Sequence, residues 1–358
     1  MNQYLKYQLY RQKLSGAKLF KLLILPLFFL LLIGCSAKIR HYSAPSATQY
    51  TQATVKGYNK DIRYWGGEYA KLNNEDLKRL MKNKALFHDV NILALSGGAE
   101  DGAYGAGFLN GWTKRGDRPQ FMMVTGISTG ALIAPFAFLG SRYDHVIKRF
   151  YTQSSTKNIL SRVLLIGTTD LDAQRPVVWN ITKIAMSGRK DAKKLIRKIM
   201  LASASIPGAF PPVLIDVTID GKRYQEVHVD GSVTRQIFIY PRTLNIYEYE
   251  NRLGIAPKKT FWLIRNTKID PVYSPVSLSL RDIAERSIST LIKYQGRDNI
   301  YNIISIAKRD GFDVYITNVP KDFDKPLKEL FDPEYMRALY DVGYKRGISK
   351  SAWQKTLK

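Results

Sequence analysis

From residue 91 onward, short apolar runs alternate with longer amphipathic or small-residue stretches. Asn91–Leu95 (NILAL) and the run Phe121–Val124 read as buried strands. Each leads through glycines into a helical stretch, Ala103–Trp112 after the first and a small-and-apolar run reaching Phe138 after the second. Val213–Val217 and Tyr224–Val229 read as two strands joined at Asp220-Gly221, a strong hairpin signal. Thr168–Ile181 is β-branched and aromatic and reads as extended, and Thr260–Arg265 and Phe312–Val319 read as further strands. Helical periodicity marks Asn74–Phe87, Asp144–Phe150, Asp191–Ser203, Ser279–Tyr294 and Arg297–Lys308. A last helix starts at Asp332, with Pro333 in its first turn, and runs to about Arg346 before Gly347. Strands alternating with helices predict an α/β fold in α/β/α layers around a mostly parallel sheet.

The first residues carry a different pattern. Lys6, Arg11, Lys13, Lys18 and Lys21 precede a short apolar run, Leu22–Ile33, and then Leu32-Ile33-Gly34-Cys35, which resembles a bacterial lipobox. Residues 1–34 are expected to be a lipoprotein signal peptide, with Cys35 the lipidated residue. Residues 35–90 then form a tether leading into the domain, 91–245 the main domain, and 246–358 a C-terminal α/β extension packed on it. Cys35 is the only cysteine, which excludes an intrachain disulfide. The expected location is a bacterial cell envelope, at the outer membrane if the cell is Gram-negative.

Charge sharpens this picture. The 358-residue chain carries a formal net charge of +25. Without residues 1–34 the basic count falls from 55 to 50 against 30 acidic residues, leaving +20. Such a surface favours anionic partners, and beside a lipid anchor it supplies a second attraction to membrane headgroups. Nucleic acid is not expected, because no motif beyond charge supports it.

Three motifs carry chemistry. Gly126-Ile127-Ser128-Thr129-Gly130 between a strand and a helix has the order of a nucleophile elbow, with the Ser128 hydroxyl raised on a strained turn. Gly126 and Gly130 leave room for strand and helix to approach. Ser96-Gly97-Gly98-Ala99, with Gly102 beyond, follows the preceding strand and can point backbone N–H groups at one spot. That arrangement lacks the residues of a P-loop or a dinucleotide fingerprint and suits an oxyanion. Asp230-Gly231-Ser232 ends the second hairpin strand. Two residues compete as base for Ser128. One is His228, with Asp170, Asp172 or Asp216 as its orienter; the other is Asp230 alone. No compact metal-ligand cluster is evident, so neither metal nor cofactor is expected.

In order and spacing these three motifs resemble the patatin-like phospholipases, over roughly Ile92–Thr243. The resemblance implies lipid acyl hydrolysis by a Ser128–Asp230 dyad, with the Gly97, Gly98 and Ala99 amides as oxyanion hole and a phospholipid or other acyl lipid as substrate. Thr168–Asp172 and Ala202–Pro207 are similar to connecting segments of that family. Ala99 stands where a third glycine is usual, and Asp101, beside Glu100, where a basic residue is frequent. These departures support the alternative of a non-catalytic envelope lipoprotein using the fold as a binding or scaffold module.

Overall fold

The apolar runs pair into one sheet. A computed structural model describes residues 39–66, 89–149, 162–329 and 331–355. Residues 41–358 form one compact unit, and the architecture below is that of this unit. Among the described residues its ten strands are β1 (Thr54–Val55), β2 (Arg63–Trp65), β3 (Val90–Leu95), β4 (Met123–Ile127), β5 (Val163–Asp170), β6 (Arg175–Asn180), β7 (Val213–Ile219), β8 (Lys222–Asp230), β9 (Lys259–Arg265) and β10 (Asp313–Asn318). The helices are α1 (Gly102–Arg115), α2 (Thr129–Leu139), α3 (Asp144–Arg149), α4 (Ile181–Met186), α5 (Ala192–Ser203), α6 (Ile246–Leu253), α7 (Leu280–Asp310) and α8 (Pro333–Ile348).

Strands β5, β4, β3, β9 and β10 lie side by side and all parallel, forming the centre of the sheet. Every residue of β4 is buried, as a parallel strand covered on both faces requires. Beyond β5 the pairing turns antiparallel, through β6, β8, β7, β1 and β2. Two cores flank the sheet. One packs Tyr104, Phe108 and Trp112 of α1 with Ile133 of α2 and Leu339 of α8. The other packs Ile300, Ile303 and Ile306 of α7 beneath Phe261 and Leu263 of β9. The layered α/β expectation is met.

Two details differ from the sequence reading, and a third extends it. β5 begins at Val163, earlier than the extended stretch inferred from Thr168, and that stretch is broken at 171–174 by a turn into β6. The two helices expected around Gln295 are one continuous helix, α7. Gly296 does not break it; a Cβ there would lie 2.0 Å from Nη1 of buried Arg265, so the missing side chain makes room for a guanidinium. The C-terminal stretch also supplies β9 and β10 to the main sheet, with β9 paired to β3. The expected signal peptide, Cys35 and the helix at 74–87 lie outside the described residues.

Strand β5 positions the site. One of its edges pairs with β6 along Leu165–Asp170. Its other edge is shared end to end, by β4 as far as Ile127↔Gly167, then by β8 from Asp230↔Thr168. Consecutive residues of β5 therefore bring the residue before Ser128 and the last residue of β8 to the same point.

Candidate active site

Ser128 follows β4 directly and caps α2, with φ 54° and ψ −126°. A non-glycine residue held at positive φ costs about 1–3 kcal/mol, so surrounding contacts must impose it. The flanking glycines account for the turn. A Cβ on Gly126 would lie 2.5 Å from the Gly130 carbonyl oxygen, and one on Gly130 would lie 2.4 Å from that of Leu95. Ser203, at the end of α5, clamps the elbow from below. Its hydroxyl accepts from the Ser128 amide at 3.1 Å and donates to the Gly167 carbonyl at 2.6 Å.

Asp230 is 1% exposed and Ser128 3%. The Asp230 Oδ1 accepts from the Ser232 amide at 2.7 Å, and its own amide donates to the Ser205 carbonyl at 3.0 Å. Burial pushes the Asp230 carboxyl up from 3.8 to about 6, while the Ser128 hydroxyl and Ser232 act against the rise. The serine is thus close enough to influence the carboxyl, yet Oδ2 makes no hydrogen bond of full geometry. A loose contact of this kind is common before substrate binds. Gly231 lets the chain leave β8 across β5, where a Cβ would lie 2.5 Å from the Gly167 carbonyl oxygen.

The loop after β3 closes over the same point. A Cβ on Gly97 would lie 2.3 Å from Ser232 Oγ and 3.2 Å from Ser128 Cβ, so all three motifs meet there. Gly97 departs from its expected role, because its amide already donates to the Gln236 carbonyl at 3.0 Å. Among the described residues the amides of Gly98 and Ala99 have no such partner. Gly98 has φ 153° and Ala99 φ 44°, so Ala99 takes a left-handed conformation that usually falls to glycine. The first amides of α2 also lack intrahelical partners and carry the positive end of its dipole. Gly102, at the start of α1, faces Thr129, whose Oγ1 would lie 1.9 Å from a Cβ there.

The two acids after the loop differ: Glu100 lines the cavity beside Ser128, its Oε2 buried without a hydrogen-bond partner among the described residues, whereas Asp101 is bonded to α8. The Tyr335 hydroxyl donates to Asp101 Oδ1 at 2.6 Å, and burial pushes the Asp101 carboxyl up to about 6, with Glu100 adding to the rise. About half protonated at pH 6, Asp101 opposes an oxyanion less than a free carboxylate would. Sequence spacing gave no sign of this contact, which joins residues 234 positions apart.

His228 is fully buried and turned away from catalysis. Its Nδ1 meets Thr168 Oγ1 at 3.0 Å and its Nε2 meets Glu226 Oε2 at 3.1 Å. Both ring nitrogens are therefore occupied, and the triad based on His228 is not formed. Arg63 of β2 forms a buried ion pair with Glu226. Burial raises the Glu226 carboxyl, but Arg63 outweighs it and holds the group at about 2. Asp170, Glu226 and His228 could together offer ligand atoms within 4.8 Å of one another. The Arg63 guanidinium already supplies the cation there, and Asp170 Oδ1 accepts from the amides of Asp172 and Ala173.

A cavity of about 80 Å³ opens beside Ser128. Leu132, Ile133 and Phe136 of α2, Ile206, Phe331 and Met336 line it together with Ala99 and Ser128. Its walls are apolar, as an alkyl chain requires. Leu132 and Phe136 follow the elbow at helical spacing, so this wall was readable in the motif's own helix; Phe331 and Met336 were not.

Comparison with known proteins bears on this arrangement. Residues 93–170 match the family model described as patatin-like phospholipase. The chain carries a patatin-like segment. It contains the Gly97-Gly98 loop and the Ser128 elbow and stops before Asp230. Among curated proteins none matches the chain. Among solved structures, VipD from Legionella pneumophila is similar at 10% identity and a TM-score of 0.33, covering 72% of this chain and 66% of VipD. The chain therefore spans just under two-thirds of that protein's length.

Proposed function

We propose that this protein is a lipid acyl hydrolase of phospholipase A type, with Ser128 as nucleophile and Asp230 as its base. One observation carries the reading: a strained serine hydroxyl stands beside a buried carboxyl raised to about 6, at the mouth of an apolar cavity. A carboxylate is ordinarily too weak a base for a serine hydroxyl, and raising its pKa improves it as an acceptor.

In the proposed reaction the substrate acyl chain lies along Leu132 and Phe136. Asp230 Oδ2 takes the proton from Ser128 as Oγ attacks the ester carbonyl carbon. The amides of Gly98 and Ala99 donate to the developing oxyanion, aided by the first turn of α2. Collapse of the intermediate expels the lipid alcohol, which receives the proton from Asp230, and leaves an acyl-Ser128 ester. Water activated by Asp230 then releases the fatty acid. The match over 93–170 supports an acyl-lipid substrate.

Against the alternative of a scaffold stand the positive φ that Ala99 takes and the bond from Tyr335 to Asp101, while the high basic charge fits either reading. The lipobox resemblance and the basic charge favour lipid anchoring at Cys35 in a bacterial envelope, with the membrane as site of action. The test is lipid analysis by mass spectrometry after incubation with phospholipid vesicles. Fatty acid release is expected from the wild type and from neither Ser128→Ala nor Asp230→Ala; turnover by either folded variant contradicts the dyad.

A further inference from the structure

Helix α7 is longer than the sheet it crosses. Its 31 residues span about 46 Å at roughly 1.5 Å per residue, whereas the seven residues of β9 span about 23 Å. Because α7 joins two parallel strands, it runs antiparallel to them. It therefore begins beyond their carboxyl ends, the edge at which Ser128 follows β4. Burial marks where the helix meets the body: among its described side chains Gly296 is the first buried residue, and none before it is. About 24 Å of helix, from Leu280 to Gln295, thus projects past the active-site edge.

This overhang is amphipathic with its faces exchanged. Leu280, Ala284, Ile288 and Leu291 recur at helical spacing and are exposed, Leu280 at 89% and Leu291 at 70%. The preceding loop adds Tyr273 and Leu278, each 92% exposed. Arg286 and Lys293 turn to the preceding loop instead. Arg286 donates to the Val272 carbonyl, and Lys293 Nζ donates to the Asp270 carbonyl at 2.8 Å. A helix that turns its charges to its own loop and its leucines to water exposes more apolar surface than a free protein usually does.

The arm is fixed to the site. Gln295 Nε2 donates to the Thr234 carbonyl at 3.1 Å, just after the Asp230 turn, and Asn299 Oδ1 accepts from the Gln236 amide at 2.8 Å. The rim of the acyl cavity continues the apolar character, with Phe210 and Phe331 half-exposed and their rings 6.1 Å apart.

We infer that the loop from Val272 and the projecting half of α7 are a membrane-docking arm, which lays its leucine face into the interface of an anionic bilayer and brings the Ser128 cavity to the lipid. The inference rests on the lipid-hydrolase reading for its purpose, not for its geometry. Charge selects a bilayer as occupant: residues 268–297 carry five basic side chains against three acidic ones, on a chain of net charge +25.

The test uses the full chain with Cys35→Ser, which removes the only cysteine, and Ser128→Ala, which keeps the lipid intact. An NBD fluorophore is attached at Leu291→Cys or, on the opposite side of the helix, at Ser289→Cys. With vesicles of phosphatidylcholine and phosphatidylglycerol, the 291 probe is expected to shift to the blue and to be quenched by spin-labelled lipid. The 289 probe shifts less, and phosphatidylcholine vesicles alone give a smaller response. Vesicle-bound protein whose 291 probe stays in water overturns the proposal. So does a blue shift that appears without vesicles as protein concentration rises, which would make a second copy the occupant. In otherwise wild-type enzyme, Leu280→Asp with Leu291→Asp should lose hydrolysis of vesicle lipid and keep that of a monomeric short-chain ester. If the wild type cleaves neither substrate, the hydrolase reading fails while the fluorescence result still decides the arm.

Discussion

Asp230→Asn should make the protein more stable and inactive, and the gain in stability should depend on pH. The substitution keeps shape and retains the Oδ1 acceptor for the Ser232 amide. What it removes is the option of a buried charge. In the folded protein the carboxyl sits at about 6, against 3.8 when free. At about 1.36 kcal/mol per pH unit, ionising it in place costs the fold about 3 kcal/mol more than ionising it in the unfolded chain. The sign follows from the raised value. Well below pH 4 both states hold the proton and the cost is absent. It builds as pH rises from 4 to 6 and is complete above 6. Urea denaturation of wild type and Asp230→Asn at pH 4 and pH 8 measures it. The stability difference should move in favour of the variant by about 3 kcal/mol between the two. A difference that stays constant with pH would refute the claim that Asp230 is buried as an uncompensated acid.

Other expectations follow from the same geometry. The kcat/KM for ester hydrolysis should fall about tenfold per pH unit below 6, as Asp230 takes up its proton; a profile flat to pH 5 contradicts its role as base. Gly130→Ala places a methyl 2.4 Å from a backbone oxygen, so it should cost about 1–3 kcal/mol in a denaturation titration and abolish activity. Arg63→Met strands the Glu226 charge and should destabilise by about 3–5 kcal/mol, read by thermal or urea unfolding. His228→Gln should lower stability yet retain most turnover per folded molecule, whereas a triad would lose it.

The elbow of the candidate site was legible because it is local. A strand, a strained serine and two flanking glycines occupy consecutive positions, and the steric demands on Gly126 and Gly130 are met within that stretch and the neighbouring strand. Asp230 was legible because β8 announces its end through the Asp220-Gly221 hairpin and the alternation after it. What sequence could not give is the register that brings them together, since the meeting of Ile127 and Asp230 on β5 depends on pairings among three distant strands. The same holds for Arg63 with Glu226, 163 residues apart, which decides that His228 is structural. Gly97 shows the opposite limit: the motif located the loop, but only the Gln236 carbonyl reveals that this amide is already spent. The break expected between Tyr294 and Arg297 is absent, because Gly296 answers to a guanidinium on another strand.

The central claim is that Ser128 is a nucleophile activated by Asp230, and covalent labelling addresses it directly. The protein is incubated with a fluorophosphonate in the presence of phospholipid vesicles, and the adduct is located by peptide mass spectrometry across a pH series. The account predicts one adduct, on Ser128, whose rate of formation declines below pH 6 and which Asp230→Asn abolishes. An adduct on another serine with Ser128 unmodified, or no adduct at any pH, would contradict it.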